Sequence, residues 1–465
     1  MNTRRERDSL GEKDVPADAL YGAETCRAIE NFPISGQKPH PYLVRATVLV
    51  KKAAALTNMQ LGTLDRRRGD AIVQAADEVL AGKWLDQFVV DPYQSGAGVS
   101  HHMNTNEVLA NRAIEILGGN KGDYSVVHPH DHVNRSQSTN DVFPTSARLA
   151  CRFVLDELLQ MLEAESLALM AKARQFDGVV KSGRTHWQDA VPIRLGQEFA
   201  AYARVVDRNR RRVEEAGEGL LELNLGATAV GTGINTHPRY VEGVVARLSQ
   251  LSSLPLRSAR DLIEATQNQD AFIHVSSALK VTALDQIKIN NDLLFMSCGP
   301  RTGIAEIELP ALQPGSSIMP GKVNPVMLEM LNMVCFQVVG NDQTIALATA
   351  GGLLDLNVYM PIMSHNLLMS MGLLKNALHV YVERCILGIR ADEARCRYYL
   401  ERSPGLVTAL SPKIGYEKAA EIAKEAVAKD KGIRELVLEK GLITEKEADE
   451  LLSPERLTGR AVADS

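Results

Sequence analysis

Long stretches without proline constrain the fold of this chain more than any other feature. Apolar residues recur in them at the three- and four-residue spacing of an amphipathic helix, as at Leu155, Leu158 and Leu162. Glycine is sparse inside them, and the alternation typical of strands is rare. These stretches therefore predict a mainly α-helical bundle; they cover residues 145–191, 193–237, 262–299 and 326–360.

Length and charge restrict the class of protein. The chain has 465 residues, enough for two or three domains, and 45% of them are hydrophobic, as in soluble globular proteins. A net charge of -5 argues against nucleic acid or an acidic membrane as the main partner. No run of about 18 apolar residues occurs, so we expect no membrane-spanning helix.

The cysteines indicate a reducing compartment. There are six of them, scattered and without a CxxC pair. This pattern predicts free thiols in a cytoplasmic protein rather than a disulfide framework or a zinc site.

The two ends of the chain show shorter elements. Residues 8–17 predict an extended strand or turn, and several helices are expected from there to about Leu117, before the Gly118-Gly119-Asn120 break. After Ala394 the pattern shortens to small amphipathic helices that run to about Leu452.

Residues 315–325 (GSSIMPGKVNP) are the clearest candidate for a functional loop. Two glycines, two prolines and adjacent serines favour a mobile loop, and the same span carries a lysine and an asparagine. Polar groups on such a loop indicate a ligand-binding segment held by a rigid scaffold. The alternative is an ordinary surface connection.

Two other glycine-rich segments have simpler interpretations. The pattern of residues 94–108 predicts a loop of small residues that leads into the polar start of a helix. Glycine in such a loop lets the backbone approach a ligand closely. The alternative is a plain loop followed by an asparagine-capped helix. Residues 224–233 predict a close-packed turn, since no Gly-Lys-Ser/Thr follows to indicate a phosphate site.

Residues 128–145 show no helical periodicity. The alternating histidines His128, His130 and His132 fit one face of a strand, and no acidic or cysteine cluster completes a metal site. Ser138, Thr139 and Asn140 supply neutral hydrogen-bonding groups that suit a carboxylate or an amine. A helix cap at Asn140 or Asp141, with Pro144 in the first turn, is an alternative that is compatible with an anion site.

A single histidine in a polar loop is a candidate acid–base group. His186 lies in residues 183–190, beside Thr185. Histidine is a common general acid or base, but it is also a common surface residue, so the residue type alone leaves both interpretations open.

Four separated blocks, taken together, resemble the aspartase/fumarase superfamily. They occur in the order expected for that family, and the similarity covers nearly the whole chain; the blocks are residues 96–111, 128–145, 183–197 and 315–329. Members of this family eliminate an amine, water or a larger group from a succinyl unit to give fumarate. The amino terminus and residues 224–236 resemble aspartases more than fumarases.

The resemblance implies a three-domain, mainly α-helical architecture. It comprises an amino-terminal helical domain (residues 1–138), a central domain of five long helices (139–394) and a small carboxy-terminal helical domain (395–465). The central helices of four copies would form a twenty-helix core in a homotetramer. Composite active sites would lie where three subunits meet.

By the same resemblance, Ser316 is the base that removes the C3 proton of the substrate, acting as an alkoxide on a closing loop. Asn140 and His186 would contact the substrate amino group, and Glu329 would orient His186. The substrate carboxylates would be held by two further sets of residues: Ser138, Thr139 and Ser317 for the β-carboxylate, and Thr185, Lys322 and Asn324 for the α-carboxylate.

The activity implied is elimination of ammonia from aspartate without an organic cofactor. A divalent ion activates some relatives, but no residue here locates a metal site. Three positions depart from the family pattern: Val99 stands where a threonine is usual, and His101 and His102 replace smaller or amide residues. We expect all three to cluster in one substrate loop. These departures favour, as alternatives, a fumarase or a lyase for a substituted aspartate. A helical tetramer retained for structure or binding is a third hypothesis.

Overall fold

The computed structural model describes residues 2–459, and this part of the chain is mainly α-helical, as predicted. The first elements form an antiparallel hairpin of β1 (Thr3–Asp8) and β2 (Gly11–Pro16). Strand β2 lies in residues 8–17, which were predicted to be extended, whereas β1 precedes that stretch. The helices expected before Leu117 follow it: α1 (Ala23–Asn31), α2 (Pro41–Gln60), α3 (Arg66–Leu80) and α4 (Val99–Ile116).

Five long helices follow, in agreement with the proline-free pattern. They are α5 (Thr139–Gln175), α6 (Leu195–Gly217), α9 (Asp270–Ser297), α10 (Val326–Ala350) and α11 (Met360–Arg384). The first proline-free stretch is not helical to its end, since α5 stops at Gln175 and the chain then forms β3 (Val180–Thr185) and β4 (Gln188–Arg194).

Short elements connect and complete these helices. Two of the short strands, β5 (Glu222–Leu223) and β6 (Arg257–Ser258), are parallel, whereas β7 (Ile307–Glu308) and β8 (Arg390–Ala391) are antiparallel. The short helices are α7 (Tyr240–Ser252), α8 (Leu262–Gln267), α12 (Glu393–Arg402), α13 (Ser411–Ile414), α14 (Tyr416–Lys429), α15 (Ile433–Glu439), α16 (Glu445–Leu451) and α17 (Pro454–Thr458). The small carboxy-terminal helices agree with the sequence prediction.

Contacts along the backbone divide the chain into two compact units. The first runs to Leu159 and includes Arg212–Val281 and Gln337–Leu373; the second comprises Gln160–Arg211, Thr282–Phe336 and the chain from Leu374. The boundaries of the three predicted domains, 1–138, 139–394 and 395–465, stay a prediction, and the last domain extends beyond the described residues.

The amino-terminal part of the first unit is built around apolar faces of α2, α3 and α4. Val48, Ile72 and Leu109 are fully buried in this core. Burying one such side chain stabilises a fold by about 1.5–3 kcal/mol. This packing fixes the position of α2 and α4, from which two buried side chains described below extend.

Within the second unit, buried polar side chains link the long helices. The Asn290 amide donates to the Asn332 Oδ1 at 3.0 Å and so joins α9 to α10. Gln286 Nε2 donates to Glu165 Oε2 at 2.7 Å, joining α9 to α5. Since buried polar groups are costly without partners, these links fix the alignment of neighbouring helices.

The buried carboxyl group of Glu165 should make the free energy of unfolding depend on pH. Burial raises the pKa of this fully buried carboxyl group to about 8. In the unfolded chain this carboxyl group has its ordinary pKa of 4.5 and loses its proton above that pH, whereas the folded protein keeps the proton until about pH 8. The free energy of unfolding should therefore decrease as pH rises from about 4.5 to 8. We expect Glu165→Gln to remove that part of the decline.

Thermal unfolding of the parent and the Glu165→Gln variant at pH 5 and pH 8 checks this. The difference between the two proteins is the relevant quantity, because other groups titrate equally in both. A decline of the same size in both proteins would contradict a protonated Glu165.

The histidine-rich block differs from the strand predicted for it. Residues Pro129–Val133 form one π-helical turn, and the His128 side chain accepts hydrogen bonds from the backbone N–H groups of His130 and Asp131. Pro129 starts the turn and His128 caps it, which alternation along the sequence does not reveal.

None of the helices within residues 2–459 combines the length and the apolar character that a membrane-spanning helix needs.

Candidate active site

The loop between β7 and α10 contains the predicted functional segment. Its base is closed by two hydrogen bonds, from Gly315 N–H to the Lys322 carbonyl at 2.7 Å and from the Asn324 side-chain amide to the Gly315 carbonyl at 2.8 Å. A Cβ at Gly315 would lie 2.7 Å from the Asn324 nitrogen, so glycine is required for this close approach. Asn324 thus has a structural bond in addition to its predicted role with substrate.

Ser316 lies inside this closed loop. Its Oγ accepts hydrogen bonds from the backbone N–H groups of Ile318, at 3.2 Å, and Met319, at 2.9 Å. Hydrogen bonds donated to an oxygen favour its negatively charged form. The loop backbone therefore stabilises negative charge on the hydroxyl that the sequence singles out as the base.

Two other polar side chains of the loop are exposed to solvent. Ser317 and Lys322 are exposed, and Ile318 on the same turn is 83% exposed. Among the described residues, no side-chain hydrogen bond or ion pair engages Lys322, so its ammonium group is available to an anionic ligand.

The close approach at Gly315 yields a prediction. Alanine there would force the Asn324 and Lys322 backbones apart, and we expect kcat to fall by about 100-fold, the cost of misplacing a catalytic group by about 1 Å. Gly178→Ala, in an open position between α5 and β3, is the matched control and should leave kcat unchanged. Equal kcat values for the two variants would show that the loop base has no role.

The start of α5 carries the second predicted group of site residues. Ser138 caps the helix, because its Oγ accepts from the Asn140 N–H at 3.3 Å and Asp141 Oδ1 accepts from the Ser138 N–H at 2.9 Å. The predicted cap at Asn140 or Asp141 is wrong by two or three residues, and Pro144 lies beyond the first turn. Thr139 is the first helical residue and is half-buried.

Residues 224–233 pack against this helix start, as their predicted close-packed turn requires. Asn140 Nδ2 donates to the Ala229 carbonyl at 2.7 Å. Asp141 Oδ2 accepts from the N–H groups of Gly226, at 2.9 Å, and Thr228, at 3.2 Å. Burial raises the pKa of Asp141 to about 6. Asp141 therefore ties the turn to the helix and positions Ser138, Thr139 and Asn140.

The three departures from the family pattern lie on α4 rather than in a loop. Gly98, with φ of +86°, precedes the helix, and Val99 is its first residue and is 40% exposed. His101 and His102 are buried inside the unit, so the prediction that all three cluster in a substrate loop is wrong for these two. Only Val99 can face a ligand.

His101 and His102 have different partners. His101 Nε2 lies 3.0 Å from Thr47 Oγ1, and its ring edge meets Phe143. His102 Nδ1 lies 2.6 Å from Thr139 Oγ1, and its Nε2 contacts Lys51 Nζ. Burial lowers the pKa of both histidines, that of His101 to about 4, so both rings are neutral at neutral pH.

Lys51 is a fully buried lysine that sequence reasoning missed. Its Nζ donates to Asn134 Oδ1 at 2.9 Å and to Gln137 Oε1 at 3.0 Å. Burial lowers its pKa, while the negative charge of Asp141 opposes this shift. The available signal was a lysine within the apolar run LVKKAAAL, where one of two adjacent lysines must face the core.

Thr185 and His186 lie at the tip of a hairpin whose strands take up most of the predicted loop, residues 183–190, and whose turn contains His186. Strands β3 and β4 pair Thr185 with Gln188, so His186 and Trp187 form a two-residue turn with φ of 55° and 59°. Both φ values are positive, as the favoured hairpin turn requires. Trp187 stacks on Phe295 with ring centroids 5.3 Å apart, which fixes the tip.

Buried charges hold the base of this hairpin. Lys181 Nζ lies 2.9 Å from Glu306 Oε2, and Arg184 donates to Glu306 Oε1 at 2.8 Å. Burial alone would lower the pKa of Lys181, but the carboxylates of Glu198 and Glu306 outweigh it and raise the pKa. These ion pairs make the hairpin a rigid support for His186.

His186 lines a cavity of about 790 Å³ within the second unit. Charged side chains such as Arg184 and Lys288 line it together with the aromatic rings of Tyr202 and Phe295. Within residues 2–459 no hydrogen bond or ion pair joins Glu329 to His186, and both side chains are exposed. Glu329 stands in the first turn of α10.

The predicted site residues thus fall into three groups, each organised by its own element. The helix start carries Ser138, Thr139 and Asn140; the hairpin carries Thr185 and His186; and the loop with the start of α10 carries Ser316, Ser317, Lys322, Asn324 and Glu329. Within the described part of the chain, no set of three or more His, Cys, Asp or Glu side chains is arranged to hold a metal ion.

Sequence comparison identifies the family of this arrangement. The family profile described as "Lyase" matches residues 11–340, and one described as "Fumarase C C-terminus" matches residues 406–459. The chain belongs to the aspartase/fumarase superfamily. It is therefore a lyase, and the resemblance inferred from the four sequence blocks is confirmed.

Individual superfamily members agree with this assignment. An aspartate ammonia-lyase of Bacillus subtilis is 52% identical over 99% of this chain and 97% of its own. A class II fumarate hydratase of Neisseria meningitidis is 48% identical over 98% of each chain. The solved structure of a fumarate lyase:delta crystallin from Brucella melitensis bound to cobalt matches with a TM-score of 0.96 and 48% identity, covering 99% of this chain and all of that one. The mainly helical superfamily fold is thereby confirmed.

Proposed function

We propose that this lyase eliminates ammonia reversibly from L-aspartate to give fumarate, which makes it a carbon–nitrogen lyase. The observation that carries the proposal is the environment of Ser316, whose Oγ accepts two backbone N–H hydrogen bonds inside the closed loop. A serine hydroxyl is a poor base in water, and these donors favour the alkoxide needed to remove the C3 proton. The identity of about half of all residues to aspartate ammonia-lyases supports the same reaction.

The chemistry explains the remaining polar groups. Removing the C3 proton leaves a dianion whose charge spreads onto the β-carboxylate, which Ser138, Thr139 and Ser317 would hold by hydroxyl donors. Thr185, Lys322 and Asn324 would hold the α-carboxylate, with Lys322 supplying the charge-assisted contact. Asn140 and His186 would contact the amino group. The elimination is redox-neutral and needs no organic cofactor.

The proposal includes a homotetramer with composite active sites. Apolar side chains on long helices stay exposed in the single chain, including Met333 and Phe336, which are 63% and 59% exposed, and Leu347. Exposed apolar surface of this kind marks protein–protein contact. Assembly would also let Glu329 of one copy orient His186 of another, which the single chain does not do.

The proposal also includes a cytoplasmic location, which the six free thiols support.

Hydration of fumarate is the second candidate. An apolar side chain, Val99, faces outward at the start of α4, where a hydroxyl is usual in aspartases and fumarases alike, so substrate choice depends on other contacts. The identity to class II fumarate hydratases supports this alternative. A lyase for a substituted aspartate is the third outcome.

Ultraviolet absorbance of fumarate tests these candidates. Purified protein is given L-aspartate or L-malate, and the expected result is turnover of aspartate alone. Turnover of malate alone would replace the proposal with fumarate hydratase. No fumarate from either substrate, with a folded tetramer, would indicate another succinyl substrate.

A further inference from the structure

A continuous chain of buried polar contacts ends at Thr139. Lys51 on α2 contacts His102 Nε2, and His102 on α4 contacts Thr139 Oγ1 through Nδ1 at 2.6 Å. All three residues lie in the first unit, and Lys51 and His102 are fully buried. Of the three residues only Thr139 is half-buried, so the contacts run from the interior towards the surface.

The surroundings of Lys51 determine which ring nitrogen of His102 carries the proton. Three acceptors surround Nζ: Asn134 Oδ1, Gln137 Oε1 and His102 Nε2. A lysine ammonium has three N–H donors and no acceptor, so it satisfies this set completely. Burial lowers the pKa of Lys51, and the buried negative charge of Asp141 opposes that shift. We assign the ammonium form because its three N–H donors match the three acceptors around Nζ. The His102 Nε2 is then an acceptor, and the ring proton lies on Nδ1.

The orientation of the Thr139 hydroxyl follows from this tautomer. The Nδ1–H of a neutral imidazole donates and cannot accept, so Thr139 Oγ1 is the acceptor in that contact. The hydroxyl hydrogen of Thr139 is therefore free to be donated away from His102. Accepting one hydrogen bond also strengthens the bond that the hydroxyl donates, because hydrogen bonds in a chain polarise one another.

We infer that His102 is a positioning residue for the elimination: with Lys51 on its Nε2, it donates from Nδ1 to Thr139 and aims the Thr139 hydroxyl hydrogen at the substrate carboxylate on which charge develops. The inference rests on the proposed function, which gives Thr139 its contact with the β-carboxylate. Neither His102 nor Lys51 touches substrate; both act through Thr139.

Variants at position 102 separate this role from simple packing. His102→Leu keeps an apolar side chain of similar size but removes the donor to Thr139, and we expect kcat to fall by about tenfold. This is less than the roughly 100-fold loss caused by deleting an oxyanion donor outright. His102→Asn places an amide N–H donor near the position of Nδ1, and we expect it to restore most of kcat. A loss confined to His102→Leu identifies the donor, and equal losses in both variants would overturn the inference.

The division of the effect between kcat and KM is the second readout. Charge on the carboxylate is greatest in the transition state, so KM and inhibition by succinate, an unreactive dicarboxylate, should change much less than kcat. His101→Leu is the matched control, since His101 is equally buried on the same turn but contacts Thr47 rather than Thr139. It should leave kcat unchanged, and thermal unfolding of all variants shows that they fold.

A double-mutant cycle with Thr139→Val distinguishes the possible failures. If His102 acts through Thr139, adding His102→Leu to Thr139→Val should cause no further loss of kcat. Additive losses would overturn the inference. If Thr139→Val itself leaves turnover unchanged, the assignment of Thr139 in the proposed function fails. If Thr139→Val slows turnover and His102→Leu does not, the inference alone fails.

Discussion

Ser316→Ala should lower kcat by about 10³-fold with L-aspartate as substrate, while the protein keeps its fold. The variant removes the hydroxyl that accepts the Ile318 and Met319 N–H groups and that we propose as the base. General-base catalysis contributes about 10²–10⁴-fold to a rate, so this is the largest effect expected of a single side chain here. Initial rates of fumarate absorbance give kcat, and far-ultraviolet circular dichroism reports folding.

Ser317→Ala is the comparison for Ser316→Ala. Ser317 is the adjacent serine, is more exposed, and would donate only one hydrogen bond to the β-carboxylate, so about 100-fold is expected for its loss. A Ser316→Ala variant that turns over substrate within a few fold of the parent would eliminate the serine-base mechanism, whatever Ser317→Ala does.

Asp141→Ala should lower the free energy of unfolding by about 4 kcal/mol. The carboxylate is fully buried and accepts hydrogen bonds from the backbone N–H groups of Ser138, Gly226 and Thr228. Each buried donor left without an acceptor costs about 1–3 kcal/mol. The change also leaves Lys51 without its buried counter-charge. Urea unfolding of the parent and the variant, at equal protein concentration, measures the difference.

Asp131→Ala is the matched control for stability. Asp131 lies ten residues earlier, and its side chain is exposed, so its removal should change the free energy of unfolding by less than about 0.5 kcal/mol. Asp141→Ala should also slow turnover, because Ser138, Thr139 and Asn140 lose the residue that positions them. Equal stability of the two variants would contradict the role given to Asp141.

The long helices could be predicted because helical periodicity and the absence of proline act over 20 or more residues. The ends of these helices were harder to predict from the sequence. Residues 145–191 hold no proline, yet α5 ends at Gln175 and a hairpin follows. Its turn uses His186 and Trp187 at positive φ, where glycine or asparagine is the usual signal, so the sequence carried no turn signature.

Residue types singled out the candidate loop of residues 315–325 and the start of α5 as functional segments. They did not predict the hydrogen bonds within either segment. Two adjacent histidines in a polar segment suggested a ligand contact, whereas burial on α4 makes them neutral core residues. That burial depends on α2, about 50 residues away in the chain, which supplies Thr47 and Lys51. Local sequence does not encode a contact at such a distance, so neither partner could be predicted.

The closed turn around Ser316 has a consequence for how the loop can move. The donors to Ser316 Oγ come from the backbone two and three residues further along the same loop, and the Gly315–Lys322 and Gly315–Asn324 bonds close its base. The two N–H donors to Ser316 Oγ thus belong to the segment itself and stay with it wherever it docks. A displacement of the whole segment would change the distance from the proposed base to substrate without breaking these two hydrogen bonds. Transplanting residues 315–325 as one block into another superfamily member should therefore transfer the serine together with its donors, whereas transplanting the serine alone should not.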